Sequence, residues 1–220
     1  MPEELIIADI QLPFLEYRAN YEEPITPLWF DRRQGEIITA LHKALAPWQL
    51  TFENISWNQA AKNLGEAQLT FALPSHFATI YVSISGVRAT VLKPDWSRAP
   101  ILISLFQTGL DALKTSIGQG FQTQQMTLGL HLVSGAKPFR ETIRQFVYAK
   151  ALGSDDATFF GVSVYYGDSL FVMDASAAFP GGIFAKVVRD FASEKRFEEM
   201  ATALHKDEES VLRLLGLKLE

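Results

Sequence analysis

Cysteine is absent from the 220 residues. That removes disulfides, thiolate nucleophiles and cysteine-ligated zinc or iron–sulfur sites together. A basic excess is also missing. Twenty Lys and Arg stand against 25 Asp and Glu, a formal net charge of −5, whereas a nucleic-acid binder needs cations to neutralise phosphates. The short basic groups Arg32-Arg33 and Lys195-Arg196 sit beside acids and read as solvated helix faces. Nucleic acid is therefore not expected as a partner. No stretch approaches the roughly 20 apolar residues that span a bilayer. The N-terminal MPEELIIADIQLPF has acids where a secretory signal begins positive. These absences predict a soluble, cytoplasmic protein without a membrane partner.

Catalytic signatures are lacking as well. There is no Gly-x-Ser-x-Gly nucleophile elbow, no Gly-x-Gly-x-x-Gly and no phosphate loop with a lysine–serine pair. His42, His76, His131 and His205 are scattered, with no His-x-x-x-His or Asp-x-Asp spacing, so no metal and no cofactor are expected. Pro180-Gly181-Gly182 reads as a sharp turn from a strand into a helix, not as an anion cradle.

What is present is an ordinary globular composition, 48% apolar and 12% aromatic with 16 Phe, in a chain long enough to bury a substantial core. Alternation predicts a first strand over Leu5 to Leu12, closed by Pro13, and an irregular stretch from Glu16 to Leu28. Asp31 is read as an N-cap with Gln34 in the capping-box position. Ile37, Ile38, Leu41 and Leu45 then follow at helical spacing up to Pro47, with His42 beside the stripe. Gln49 to Trp57, Ala67 to Leu73 and Phe77 to Ile84 read as strands. A tight turn at Ser85-Gly86 leads into Val87 to Leu92. A long helix opens at Pro100, buries Leu102, Leu105, Phe106, Leu110, Leu113 and Ile117, and ends at Gly118.

In the second half, Met126 to Val133 reads as a strand with Met126, Leu128, Leu130 and Leu132 on one face. A helix is expected over 138–153. Ala157 to Phe179 then forms a hairpin turning at Gly167-Asp168, central in the sheet because neither of its faces is polar. Another helix is expected from Ile183 to Phe191. Both halves thus read strand, helix, hairpin, helix. The expected fold is α+β: a largely antiparallel sheet built from two such pseudo-repeats, about 1–122 and 123–193, with helices mainly on one face. One integrated domain over 1–220 is favoured by the lack of a linker; the runner-up is two domains splitting near Gln122. In the C-terminal segment, 194–220, Phe197, Met200, Leu204, Val211 and Leu214 fall on a heptad-like seam. Asp207 either interrupts one helix or caps a second. The seam is read as a helical pair folded onto the domain, or as a partner-docking or dimer surface.

Asp174 is the one acid placed on an apolar strand, and a buried carboxylate there needs a partner or a raised pKa. Arg88 is its counterpart if the halves correspond. His131 interrupts a second apolar strand, and Tyr81 and Tyr165 lie on strands too. Arg88, His131, Tyr165 and Asp174 are therefore the candidate ligand-binding residues, against the alternative of a solvated face or one internal ion pair. The leading expectation is a non-catalytic binding or interaction module. It would hold a protein segment or apolar small molecule in a sheet–helix groove, or use Phe197, Met200, Leu204, Val211 and Leu214 to dock a partner or a second copy of itself. The alternative is an enzyme acting on a small organic substrate among Arg88, His131, Tyr165 and Asp174.

Overall fold

The computed structural model of the chain describes residues 6–58, 67–133 and 161–218. The strands are β1 (Ile6–Ile7), β2 (Asp9–Tyr21), β3 (Ile55–Trp57), β4 (Gln68–Leu73), β5 (Ala78–Ser83), β6 (Gly86–Leu92), β7 (Phe121–Val133), β8 (Val162–Tyr166), β9 (Ser169–Ala175), β10 (Ile183–Phe191) and β11 (Leu217–Lys218). The helices are α1 (Pro27–Leu45), α2 (Ala99–Ile117) and α3 (Phe197–Leu214). The fold is α+β. Nine strands join in the order β3-β4-β5-β6-β2-β7-β10-β9-β8, and β1 pairs with β11 in a separate parallel ladder. The ladders β3–β4, β4–β5, β5–β6, β8–β9 and β9–β10 are antiparallel.

Contacts gather the chain into two compact units. One comprises Leu15–Met126 and Asp190–Ala201, the other Met1–Phe14, Thr127–Arg189 and Thr202–Glu220. In the first, larger unit, strict alternation buries Leu69, Phe71 and Leu73 of β4, Ala78, Ile80 and Val82 of β5, and Tyr17, Ala19 and Tyr21 of β2. The buried stripes of α1 (Phe30, Ile37, Leu41, Leu45) and α2 (Leu105, Phe106, Leu110, Leu113, Ile117) complete this core. In the smaller unit the core comes from Leu128, Leu130 and Leu132, Phe171 and Met173, Ile183, Ala185 and Val187, with Leu204, Val211 and Leu212 of α3.

Several elements depart from the sequence expectation, each for an identifiable reason. Pro13 does not end the first strand: β2 continues through it, with Leu12 at φ +43° providing the kink that lets a proline sit inside a ladder. Helix α1 starts four residues before Asp31. Thr26 Oγ1 accepts the Trp29 N–H at 3.2 Å, and Pro27 takes the first helical position, where its missing donor costs nothing. Of Gln49 to Trp57 only the last three residues are strand; Phe52–Asn54 is a single 3₁₀ turn. Ile183 to Phe191 is a strand, not a helix. Its Ile183, Ala185 and Val187 alternate inward and pair with β9 from Ile183↔Ala175 to Arg189↔Ser169.

Because the second half ends in that strand, the expected repeat of elements does not appear among the described residues. The helix expected over 138–153 and the start of the hairpin strand, 157–160, lie outside them. The hairpin itself turns at Gly167-Asp168 as expected, with Tyr166 opposite Ser169 and Gly167 at φ +58°, the conformation a glycine adopts without a Cβ penalty. It is not central, however: among the described residues β8 is the outermost strand, and Tyr165 on it is 83% exposed. The C-terminal segment forms one helix, α3, with Asp207 inside it.

Candidate functional site

On the face of the larger unit's sheet opposite its core, the same alternation presents Gln68 of β4, Tyr81 and Ser83 of β5, Arg88 of β6, and Glu16, Arg18 and Asn20 of β2. Between them lies a cleft of about 310 Å³ lined by Arg18, Asn20, Gln68, Tyr81, Ser83 and Arg88, with Gly86 in its floor. Gly86 is required there. A Cβ at that position would stand 2.1 Å from the Ala19 carbonyl oxygen, so only glycine lets β6 lie this close to β2. Arg88 is directly across the ladder from Tyr81, and its guanidinium lies 4.3 Å above the Tyr81 ring centroid. The ring thus restrains a long, flexible cation.

Several polar groups of the cleft are already spent on the protein itself. Arg18 Nε donates to Glu16 Oε1 at 2.6 Å, and Asn20 Nδ2 donates to Thr123 Oγ1 at 3.2 Å. The Ser83 hydroxyl donates to the Gly86 carbonyl at 3.1 Å and accepts the Ser85 N–H at 3.3 Å. With its own proton so placed, Ser83 Oγ is the acceptor in its 3.2 Å contact with the Ser85 hydroxyl. What remains includes charged donors without a hydrogen-bond partner among the described residues. Among the described residues, Arg88 has no acid within ion-pair distance, and the Arg18 terminal nitrogens, the Gln68 amide and the Tyr81 hydroxyl make no hydrogen bond.

One apolar slot between the sheet and the helices of the same unit is much smaller. Leu15, Pro94, Trp96, Leu102, Ile103 and Phe197 line it, and its volume is only about 20 Å³, far below the several hundred Å³ of usual ligand sites.

The other three candidate residues belong to the smaller unit, and no hydrogen bond joins them to one another. Asp174 pairs across the ladder with Phe184, and its carboxylate accepts the Ala175 N–H at 2.7 Å. The Phe184 ring lies 5.0 Å from that of His131, so His131 and Asp174 flank one phenylalanine. Tyr165 is on the edge strand, across from Leu170. His131 Nδ1 is 2.8 Å from Ser176 Oγ, a contact that superficially suggests a serine–histidine pair. Ser176 Oγ, however, accepts the Ala178 and Phe179 amides at 3.2 and 3.0 Å. Its proton is therefore directed at His131 Nδ1, leaving the hydroxyl oxygen without a lone pair for attack. The cluster builds the loop between β9 and β10. Pro180-Gly181-Gly182 lies in that loop and precedes a strand, so no helix N-terminus stands behind it.

The C-terminal seam faces the protein's own core. Phe197, Met200, Leu204 and Val211 are each at most 2% exposed, and Leu214 is half-buried. In the larger unit Phe197 stacks on Phe106 with centroids 5.1 Å apart and meets Tyr17 edge-on. Asp207, buried within α3, accepts the Ser169 hydroxyl at 2.6 Å and Arg189 Nη1 at 3.1 Å. Arg189 Nη2 also reaches Asp168. Among the described residues no group of three or more His, Asp or Glu is placed to hold a metal ion, and no helix is long and apolar enough to cross a membrane.

The pairing of Arg88 with Tyr81 across an open cleft is thus the arrangement with binding chemistry to spare. No known family model matches the chain, and no curated protein matches it either. The function therefore has to be argued from the site alone.

Proposed function

We propose that the protein is a non-catalytic binding module whose ligand occupies the cleft on the outer face of the larger unit's sheet. The observation that carries this reading is the surplus of donors around Arg88. Arg88 is braced by Tyr81 and shares the cleft with Arg18, whose terminal nitrogens are likewise unused among the described residues. The cleft's volume, about 310 Å³, lies at the small end of ligand sites. It suits a small polar molecule or a single residue of a longer chain.

The catalytic alternative has less support. It calls for Arg88, His131, Tyr165 and Asp174 to act together, and the one histidine among them is engaged with a turn-forming serine. The apolar slot lined by Leu15, Trp96 and Phe197 is likewise less favoured than the cleft because of its size.

The test is a thermal-shift screen of the full-length protein against a library of small polar molecules, repeated with Arg88→Ala and Tyr81→Ala. Both side chains lie on the outer face, so neither substitution should unfold the protein. Ligands that raise the midpoint of the parent and fail with both variants support the reading. Ligands that bind all three proteins equally place the site elsewhere.

A further inference from the structure

We infer that the cleft recognises an oxyanion, a carboxylate or phosphate group, held in the plane of the Arg88 guanidinium. This rests on the cleft being the binding site and names the chemistry it takes. Three observations carry it.

The lining residues include two arginines and no acid. Glu16 lies beside the cleft and offsets one positive charge by engaging Arg18 through Nε, so the terminal nitrogens of Arg18 and all of Arg88 remain. Once internal bonds are subtracted, the charged groups left over are donors only, beside neutral Asn20, Gln68 and Tyr81. The Arg88 guanidinium is planar, with its N–H groups in one plane. That fork matches the two oxygens of a carboxylate or two of a phosphate. A neutral ligand would leave the Arg88 charge without an opposite charge. A cation would meet two guanidinium groups.

Tyr81 is then a positioning residue. It does not bind the anion through its ring but restrains Arg88, so that less side-chain freedom is lost on binding.

The experiment is calorimetric titration at low ionic strength with inorganic phosphate, sulfate and succinate, against the parent, Arg88→Lys, Arg88→Gln and Tyr81→Leu. Saturable binding of at least one anion by the parent is expected. Arg88→Gln should weaken it about 10- to 100-fold, the equivalent of charge-assisted hydrogen bonds lost. Arg88→Lys, which keeps the charge but not the fork, should remain several-fold weaker than the parent. Tyr81→Leu should weaken binding with Arg88 intact. Phosphate and sulfate without succinate would identify a tetrahedral group, and succinate alone a carboxylate. Equal affinity of Arg88→Gln and the parent overturns the inference. So does the absence of any saturable anion binding by the parent. If in that case uncharged molecules from the library still bind in a manner dependent on Tyr81, the cleft remains the site and only its oxyanion chemistry falls.

Discussion

Gln124 offers the sharpest test of how the larger unit is held together. It sits on β7 at 2% exposure, a polar side chain in the core. Its Oε1 accepts the Tyr17 hydroxyl at 2.7 Å. Its Nε2 faces three main-chain carbonyls, Ala192, Ser193 and Lys195, at 3.0, 2.9 and 3.0 Å. An amide carries two protons, so two of these are full bonds or one proton is shared. These carbonyls belong to the segment joining β10 to α3, and Gln107 Oε1 fixes the helix start by accepting the Phe197 N–H at 3.0 Å. Replacing Gln124 with Leu keeps the volume and removes every one of those bonds. The Tyr17 hydroxyl, itself buried, is then orphaned at a cost of about 1–3 kcal/mol. The carbonyls lie in exposed residues and can turn to water, so their two lost bonds cost roughly 0.5–1.5 kcal/mol each. Together Gln124→Leu should destabilise the protein by about 2–6 kcal/mol. Equilibrium urea unfolding would measure this, with unchanged slope showing that compactness is preserved. Tyr17→Phe in the Gln124→Leu background should recover part of the loss, because it removes the orphaned hydroxyl. A loss below about 0.5 kcal/mol for Gln124→Leu, or no recovery in the double variant, would refute the account.

Other consequences are as direct. Asp207→Ala removes the buried carboxylate that Ser169 and Arg189 share and should cost about 2 kcal/mol, Arg189 keeping its pair with Asp168, whereas Ser169→Ala should cost only about 1 kcal/mol; urea midpoints that do not rank this way would count against the network. Gly86→Ala drives a Cβ against the Ala19 carbonyl and should cost roughly 2–3 kcal/mol or more, and a thermal midpoint equal to the parent's would show that β6 is free to shift. Burial, with Arg98 nearby, holds the His76 imidazole below its ordinary range, and its Nδ1 has no hydrogen-bond partner. The unfolded chain then binds the proton more readily, so this contribution to stability is complete above pH 6.5 and is lost as the pH falls through the folded value. The urea midpoint should decline between pH 7 and pH 5, and His76→Gln should flatten that decline.

Periodicity carried the elements whose neighbours are local. The α2 stripe ending at Gly118, the buried row Met126, Leu128, Leu130 and Leu132, and the Gly167-Asp168 turn all stand where alternation and helical spacing place them. Misreadings came where proline or glycine was taken as a stop. Pro13 sits within β2, Pro27 begins α1, and the Pro180-Gly181-Gly182 turn introduces a strand. For β2 and β10 tertiary pairing decided between outcomes that local chemistry allows, whereas the start of α1 is set locally by Thr26 and Pro27. The candidate site was half legible. Arg88 and Tyr81 were both singled out, but the turn placed at Ser85-Gly86 would pair Tyr81 with Thr90. The actual turn is one residue earlier, at Ile84-Ser85, which sets Tyr81 opposite Arg88. A one-residue error in the turn shifts every cross-strand pair by two. The faces remain the same while the partners change. The C-terminal seam was legible as apolar, but an apolar stripe has the same spacing whether a partner or the chain's own core covers it. Asp207 and Glu208, acids set within that stripe, were the one local sign that the helix has polar business inside the fold.

The distinction that separates structure from function in this protein is whether polar groups balance. Gln124, Asp207 and Ser169 are buried and sit among hydrogen-bond partners, which is how a buried polar group becomes affordable to a folded chain. Their removal should therefore be felt as lost stability. Arg88 is different: it is exposed, braced by Tyr81, and left with its N–H groups unspent among the described residues. Burial does not force that arrangement, and a guanidinium on the open face of a sheet contributes little to folding, about 1 kcal/mol at most from its ring contact. Arg88→Gln should accordingly leave the urea midpoint nearly unchanged while altering what the cleft binds. The opposite pattern, a large loss of stability with binding intact, would mean that Arg88 belongs with Gln124 and Asp207 as part of the frame, and that the cleft is only its outer surface.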